Sequence, residues 1–465
     1  MNKFNIIVSL IIAFVVFLVP SSTKASFPVL LDGTLVKGSG PEVYFMENGM
    51  KRWIVNPDIF SEFEFDWYKI NIVSDTNLNR YPRGNVLDVF RSYPEGALLR
   101  ERGDAKIYIM ERGYRRWIKD AQSFNNLGLS WGAVFDISED KIKRIRESSP
   151  IEKEEKISRP GTVLKYTPEK IVEDVYAEFE FTATPAIRDM KNVRFETFLE
   201  GMDKRWNTTS GRLRNIKLPI KSGKYSFFVR ARYTDGGVDL VPEKYEFTVK
   251  ISPLFGDVKV SSTRVRQKNI ADEYIYLTNY TKIPLSITGW TIESEKDKTR
   301  YKIPQVYEIP KYAYNQNLVN VNLNPRAYAI VYSGENSLGV GFRTNKCTGY
   351  LNEDSDSRPA LSKKCPSPDK EEVQGFNLYC QNKINRTPKC GEPDFNDTKL
   401  TNECRAFLRE SFGYGACVTA NREFYDFFEN EWRVYLKRSK SIWNNTQDEI
   451  ILRDRNGLVV DRRSY

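Results

Sequence analysis

Val43-Tyr44-Phe45-Met46 and Arg52-Trp53-Ile54-Val55 flank Glu47-Asn48-Gly49. Two aromatic and β-branched runs around Asn-Gly predict a β-hairpin, because those two residues accept the positive φ that a tight turn requires. The stretch has a second copy. Gly33-Thr34-Leu35 aligns with Gly96-Ala97-Leu98 at an offset of 63, and from Tyr44 and Tyr108 onward the offset is 64. In that register Gly49 meets Gly113, Arg52 meets Arg116, Trp53 meets Trp117, Ile54 meets Ile118, Phe60 meets Phe124, Trp67 meets Trp131 and Ser74 meets Ser138. A β-rich module of about 60 residues is therefore duplicated, one copy in 26–90 and the other in 91–146. Arg112-Gly113 suits the second turn less well than Asn48-Gly49 suits the first. Pro57 to Trp67 and Ala121 to Trp131 predict a short helix or turn carrying aromatics into a core.

Arg52, Trp53, Arg116 and Trp117 are the candidate ligand residues of this module, since Arg and Trp faces stack on sugars or bases. Strand alternation supplies the competing expectation: neighbours on a strand point to opposite faces, so Trp would enter the core and Arg would be solvated.

Outward from the repeat, composition narrows the chemistry. The 465 residues are 40% hydrophobic and 28% charged, an ordinary globular balance sufficient for about three domains. There is no histidine. Ser-His-Asp and Cys-His catalysis, HExxH zinc sites and histidine proton shuttles are thereby excluded. Ile6 to Val19 is apolar except for Ser9, follows Lys3 and precedes Ser21-Ser22-Thr23-Lys24-Ala25. A run of this length reaches only about 21 Å as a helix, short of a bilayer's roughly 30 Å. It reads as a signal peptide, residues 1–25, cleaved after Ala25. An uncleaved N-terminal anchor is the alternative. No integral membrane segment is expected after its removal, and the protein is expected to be secreted or at the cell surface. Cys347, Cys365, Cys380, Cys390, Cys404 and Cys417 all fall within 71 residues and contain no CxxC. In an exported chain they predict three disulfides, with fifteen possible connectivities.

Residues 147–160 are charged and Pro-bounded, and predict a linker. From 161 to 252 the pattern is short strands and turns: Glu178-Phe179-Glu180-Phe181-Thr182 alternates strictly, and Tyr225, Phe227, Val229 and Ala231 alternate with Ser226, Phe228, Arg230 and Arg232. This predicts a small antiparallel sandwich. Phe198-Leu199-Glu200-Gly201, Arg205-Trp206 and Tyr225 to Ala231 resemble immunoglobulin-like or fibronectin type III modules. In 254–465, alternation places Ile275, Leu277, Ile287, Trp290, Ile292, Ile450 and Leu452 on the core faces of a second sandwich, and Asn456-Gly457 predicts a type I′ turn. The strand Asp272 to Asn279, Gly289-Trp290 after Leu285, Ala327 to Val331 and the closing Asp448 to Leu452 with Gly457 and Val460-Asp461 resemble a bacterial lamin-tail domain. That resemblance implies an Ig-like sandwich of exported proteins. Residues 342–431, holding every cysteine, depart from it as an insertion. Leu400, Cys404, Phe407, Leu408 and Phe412 predict a helix ended by Gly413, and a second helix is expected from Asn421 with Phe424, Phe427 and Phe428 on one face. The fold class expected is thus mainly β: a duplicated β-rich module, serial antiparallel sandwiches and a disulfide-rich helical insertion.

Asp75 to Asn79 imitates a calcium loop, but Arg80 stands in place of the required Gly. Glu353, Asp354 and Asp356 form the best remaining oxygen cluster for calcium, with a solvated acidic loop as the simpler reading. Phosphate-loop and aspartic-protease motifs are absent. Net charge is +10, or +8 without Lys3 and Lys24, with no basic run. It favours anionic polymers such as DNA or acidic wall glycans. These features predict an exported, non-enzymatic protein needing no cofactor, which acts by binding or scaffolding on cell-wall glycan, surface protein or DNA. The alternative is a carboxylate-dependent extracellular hydrolase of polysaccharide, which needs no spacing rule for its two acids.

Overall fold

The computed structural model describes residues 27–152, 159–184, 192–209, 213–234, 237–310, 317–353, 357–443 and 446–465. The predicted signal peptide, Ala25 and the centre of the predicted linker lie outside them. The chain forms two compact units, one comprising residues up to Val163 with Thr182–Gly211 and Phe227–Lys244, the other Leu164–Phe181, Arg212–Ser226 and Tyr245–Tyr465. The segment 161–252 contributes strands to both.

In the first unit the repeat is visible element by element. Copy one is β1 (Leu35–Lys37), β2 (Val43–Glu47), β3 (Met50–Ile54), α1 (Pro57–Glu62), β4 (Ile70–Ile72) and α2 (Asp75–Leu78). Copy two is β5 (Leu98–Glu101), β6 (Ile107–Glu111), β7 (Tyr114–Ile118), α3 (Ala121–Asn126), β8 (Val134–Ile137) and α4 (Glu139–Arg144). Both hairpins turn through two residues at positive φ, 52° and 66° at Asn48 and Gly49 and 52° and 77° at Arg112 and Gly113. Arg112 thus adopts a backbone usually left to Asn or Gly. Asn56 and Asp120 start α1 and α3 alike, each side chain accepting from the backbone N–H three residues on. The first strand of each copy pairs in parallel with the fourth, β1 with β4 and β5 with β8, the intervening helix covering the crossover.

The charged stretch after α4 is not all linker. Glu147–Ile151 forms β9, parallel to β7, with Arg115 opposite Glu147 and Ile118 opposite Ile151. Copy one has the same bridges sixty-four residues earlier, Lys51 to Arg83 and Ile54 to Leu87. Charge concealed this strand, because it is an edge whose one fully inward side chain is Ile151.

The two copies share one core. Leu35, Phe45, Ile54, Phe60, Phe63 and Phe65 pack with Leu99, Tyr108, Met110, Phe135 and Ile137. Each fully buried Phe is worth roughly 1.5–3 kcal/mol of transfer free energy. Phe60 and Phe124 are the inward aromatics, and Trp67 and Trp131 stack on their outer faces at 3.9 Å in both copies. At the seam the equivalent glycines meet: a Cβ on Gly33, at φ +83°, would stand 2.3 Å from the carbonyl oxygen of Gly96. In the same unit Val193–Leu199 pairs antiparallel with the second half of Gly223–Tyr233 and with Asn207–Thr209. Phe227 to Ala231 are buried on both faces, because Phe228 packs with Phe198 and Met50 while Arg230 pairs with Glu196 at 2.6 Å.

Tyr176–Thr184, of which the part up to Phe181 belongs to the second unit, alternates as its sequence predicts, with Ala177, Phe179, Phe181 and Ala183 inward. The C-terminal sandwich has one sheet of Val258–Arg264, Tyr274–Asn279, Tyr328–Tyr332, Phe428–Tyr435, Phe342–Asn345, Val306–Tyr307 and Leu318–Val319, in that spatial order. Its other main sheet runs Arg300–Lys302, Thr291–Ser294, Glu449–Arg453, Val459–Ser464. All seven predicted core residues lie between them. The last hairpin is a four-residue turn with positive φ at Gly457 and not at Asn456, because Asp454 Oδ1 accepts from the N–H groups of Asn456 and Leu458.

The insertion leaves Phe342–Asn345 and returns on Phe428–Tyr435, two paired strands. Its disulfides are Cys347–Cys417, Cys365–Cys390 and Cys380–Cys404. The predicted helix is Asn402–Ser411, capped by the Thr401 side chain. Gly413 does not end it. Phe412 does, in an extended conformation, and Gly413 at φ 94° starts the next helix, Tyr414–Asn421. Asn421 therefore closes a helix where one was expected to begin, and Phe428 already belongs to the returning strand. Arg433, 1% exposed, donates to the Pro359 carbonyl at 2.8 Å and to Glu431 and Tyr332, tying the insertion to the sheet.

Candidate functional site

Lys51 and Trp53, two apart on β3, share one face of the first sheet, and Tyr44 on β2 lies opposite Trp53. With Glu42, Arg83, Gly84 and Val86 they line a pocket of about 190 Å³. Trp53 is 39% exposed there. Lys51 is buried beneath it, donating from Nζ to the Leu78 carbonyl at 2.9 Å and to Asn79 Oδ1 at 3.2 Å. Burial pushes the Lys51 ammonium down to about 8. Desolvation likewise raises the Tyr44 phenol. Gly84 donates to the Lys51 carbonyl at 3.0 Å and holds the pocket wall close. Among the described residues, the Glu42 carboxylate and the Arg83 guanidinium hold no ion pair with each other or with a third group. The pocket thus presents an aromatic face between an acceptor and a donor.

Copy two fills the same place differently. Lys106, at the position of Glu42, and Lys119, at that of Val55, set their ammonium groups 5.0 and 5.8 Å from the Trp117 ring. Arg115 replaces Lys51 and pairs with Glu147, the counterpart of Arg83, at 3.0 Å. Trp117 is half-buried. The expectation that Trp faces the core fails for Trp53, which is 39% exposed, whereas Trp117 packs partly buried against the shared core. Both faces of the first sheet are covered, and Arg52 lies on the inner side, paired with Glu47 at 2.5 Å and donating to the Asn85 carbonyl at 2.7 Å. Arg116 repeats this with Glu111 at 2.5 Å and the Ser149 carbonyl at 2.9 Å. The two arginines brace their hairpins against the following strand.

Of the candidate calcium residues, Asp354 and Asp356 lie outside the described residues, and no cluster of three or more metal-capable side chains occurs among those described. Asp75 instead accepts from the Ser39 backbone at 2.9 Å and from its hydroxyl. Glu42 and Arg83 were not legible as site residues: each belongs to a stretch of ordinary polar sequence, and the one available signal was their replacement by Lys106 and Glu147 in the copy.

No family model matches the chain, and no curated protein matches it. Among solved structures it is similar to Bacteroides ovatus SGBP-B of the mixed-linkage glucan utilization locus, in complex with a mixed-linkage heptasaccharide, at 14% identity and TM-score 0.16 over 38% of this chain and 44% of that one. It is similar at 14% identity and TM-score 0.16 to a chitinase of Bacillus thuringiensis, over 45% of this chain and 34% of that one. The extracellular domain of a Bacteroides thetaiotaomicron hybrid two-component system matches at 12% identity and TM-score 0.17, over 46% and 26%. This chain spans less than half the length of each, and at these TM-scores the likenesses carry no argument about fold or chemistry.

Proposed function

We propose that the protein is exported, is not an enzyme, and holds a glycan against Trp53. The observation that carries this reading is the open Trp53 face set between Glu42 and Arg83, whose side chains hold no ion pair among the described residues. A pyranose ring offers C–H groups to an indole and hydroxyls to both an acceptor and a donor, and the pocket supplies all three. Three disulfides and the apolar leader support export. Gly289-Trp290, with Trp290 buried between two sheets, supports the lamin-tail reading of the C-terminal sandwich.

Affinity electrophoresis of the full chain in gels containing neutral wall glycans or soluble β-glucans tests the proposal. Retardation by at least one glycan, abolished or weakened at least about tenfold by Trp53→Ala, is expected; Trp117→Ala should leave it intact. Equal retardation of Trp53→Ala would sink the Trp53 site. Steady release of oligosaccharide in a zymogram would replace the binding reading with the hydrolase.

A further inference from the structure

A second cleft in the duplicated module, of about 790 Å³, is lined by Glu62, by the connector Phe90, Arg91, Ser92 and Tyr93, by the copy-two turn Arg112, Gly113 and Tyr114, and by Lys141, Arg144, Ile145 and Arg146 at the end of α4. Five cations face one carboxylate. Lys141 is engaged, 3.4 Å from Glu64 and 4.7 Å from the Phe90 ring. The guanidiniums of Arg91, Arg112, Arg144 and Arg146 are exposed and hold no ion pair or hydrogen bond among the described residues. Tyr93, 2% exposed, forms part of the buried wall of the cleft.

The fold builds this cluster deliberately. Glu95 accepts from the backbone N–H groups of Arg112 and Gly113 at 2.6 and 2.8 Å, so the turn is clamped through its main chain while the Arg112 side chain stays free. Copy one makes the corresponding clamp with Asp32 on Gly49 at 2.8 Å, but its turn carries Asn48, whose carbonyl oxygen accepts from Trp206 and Arg230. The second turn has the cations and no such cover.

We propose that this cleft binds the oxyanions, carboxylate or phosphate, of an anionic glycan. Planar guanidiniums match both groups bidentately. A concave site of this volume suits a few sugar units. A nucleic acid single strand would need aromatic platforms for successive bases, and Tyr114 is the one large aromatic exposed here. The site is separate from the Trp53 pocket, so the two readings stand or fall independently.

The test is titration of the full chain with a galacturonate oligomer, a glycerol-phosphate oligomer and a single-stranded oligonucleotide at several salt concentrations. The variant carries Arg91→Gln, Arg112→Gln, Arg144→Gln and Arg146→Gln, all exposed positions. The control removes the same charge elsewhere with Lys250→Gln, Arg264→Gln, Arg386→Gln and Arg409→Gln. The wild type should bind one of the two glycan-type oligomers more tightly than the oligonucleotide. The cleft variant should lose at least about tenfold in affinity and up to about four in the slope of log affinity against log salt, while the control keeps both. Carboxylate or phosphate as the preferred anion follows from which oligomer binds. Equal losses in variant and control would overturn the proposal in favour of diffuse charge attraction, no binding to either glycan would overturn it outright, and tightest binding of the oligonucleotide would assign the cleft to nucleic acid.

Discussion

Lys51 is a charged residue held where charge is expensive, with a carbonyl and an amide oxygen for company. Its ammonium falls from 10.5 to about 8, burial being the largest cause. Below pH 8 both folded and unfolded chains carry the proton and the penalty, about 3 kcal/mol at most, is fully present. Between about pH 8 and 10.5 the unfolded chain holds a proton that the folded one has released, so this group makes stability rise with pH across that window. Urea denaturation should show wild type gaining on Lys51→Met from pH 8 to 10; parallel curves would refute the buried charge. Glycine supplies a second comparison at this scale. Gly33 and Gly113 both have positive φ, but a Cβ on Gly113 meets nothing within 4 Å whereas one on Gly33 meets the Gly96 backbone. Gly113→Ala should cost roughly 1 kcal/mol and Gly33→Ala at least about 2 kcal/mol more, read as a shift in the denaturation midpoint. Similar shifts for both would deny the close approach.

Elements were legible where one periodicity acted alone. Tyr176–Thr184 alternates in sequence and in burial, and the Asn48-Gly49 hairpin sits where its turn residues put it. Legibility failed where a third partner intervened. Trp53 was expected inside because one face of a strand was assumed wet, yet the first sheet is covered on both sides and the open patch is left to Trp53. Gly413 looked like the end of one helix and is the start of the next, since the residue type that stops a helix also tolerates the turn between two. The Trp53 pocket was half visible, through Trp53 itself; Glu42 and Arg83 reach it from segments without periodic signal. The arginines of the larger cleft are scattered over fifty-six residues of sequence and form no run. In the insertion, small helices depend on crosslinks. Cys347–Cys417 spans 70 residues and Cys380–Cys404 spans 24, so in the chain-entropy picture the first contributes about 4.4 and the second about 3.5 kcal/mol. Replacing Cys380 and Cys404 by Ser should expose Asn402–Ser411 to protease, because both cysteines lie in the small cluster with Leu400, Leu408 and Phe412, while cleavage in the sandwich stays slow. Intact digestion patterns would show that the cluster holds without the bond.

At the scale of the molecule, the described residues include no helix long and apolar enough to cross a membrane. Both candidate sites lie in the duplicated module, which leaves the C-terminal sandwich and its stapled insertion free for another task. Duplication followed by divergence explains why one Trp face is open and the other is guarded by Lys106 and Lys119. The seam between the copies carries this further. The shared core joins unlike faces: copy one gives Leu35, Phe45 and Ile54, whose counterparts Leu98 and Ile118 pack elsewhere, while copy two gives Leu99, Tyr108 and Met110, so the halves meet head to tail. The fused copies therefore resemble two successive members of a stacked repeat. A fragment of residues 27–92, bereft of its sister, should either self-associate in solution to cover the exposed half of the shared core or remain unfolded; a stably folded monomer in sedimentation would contradict that dependence.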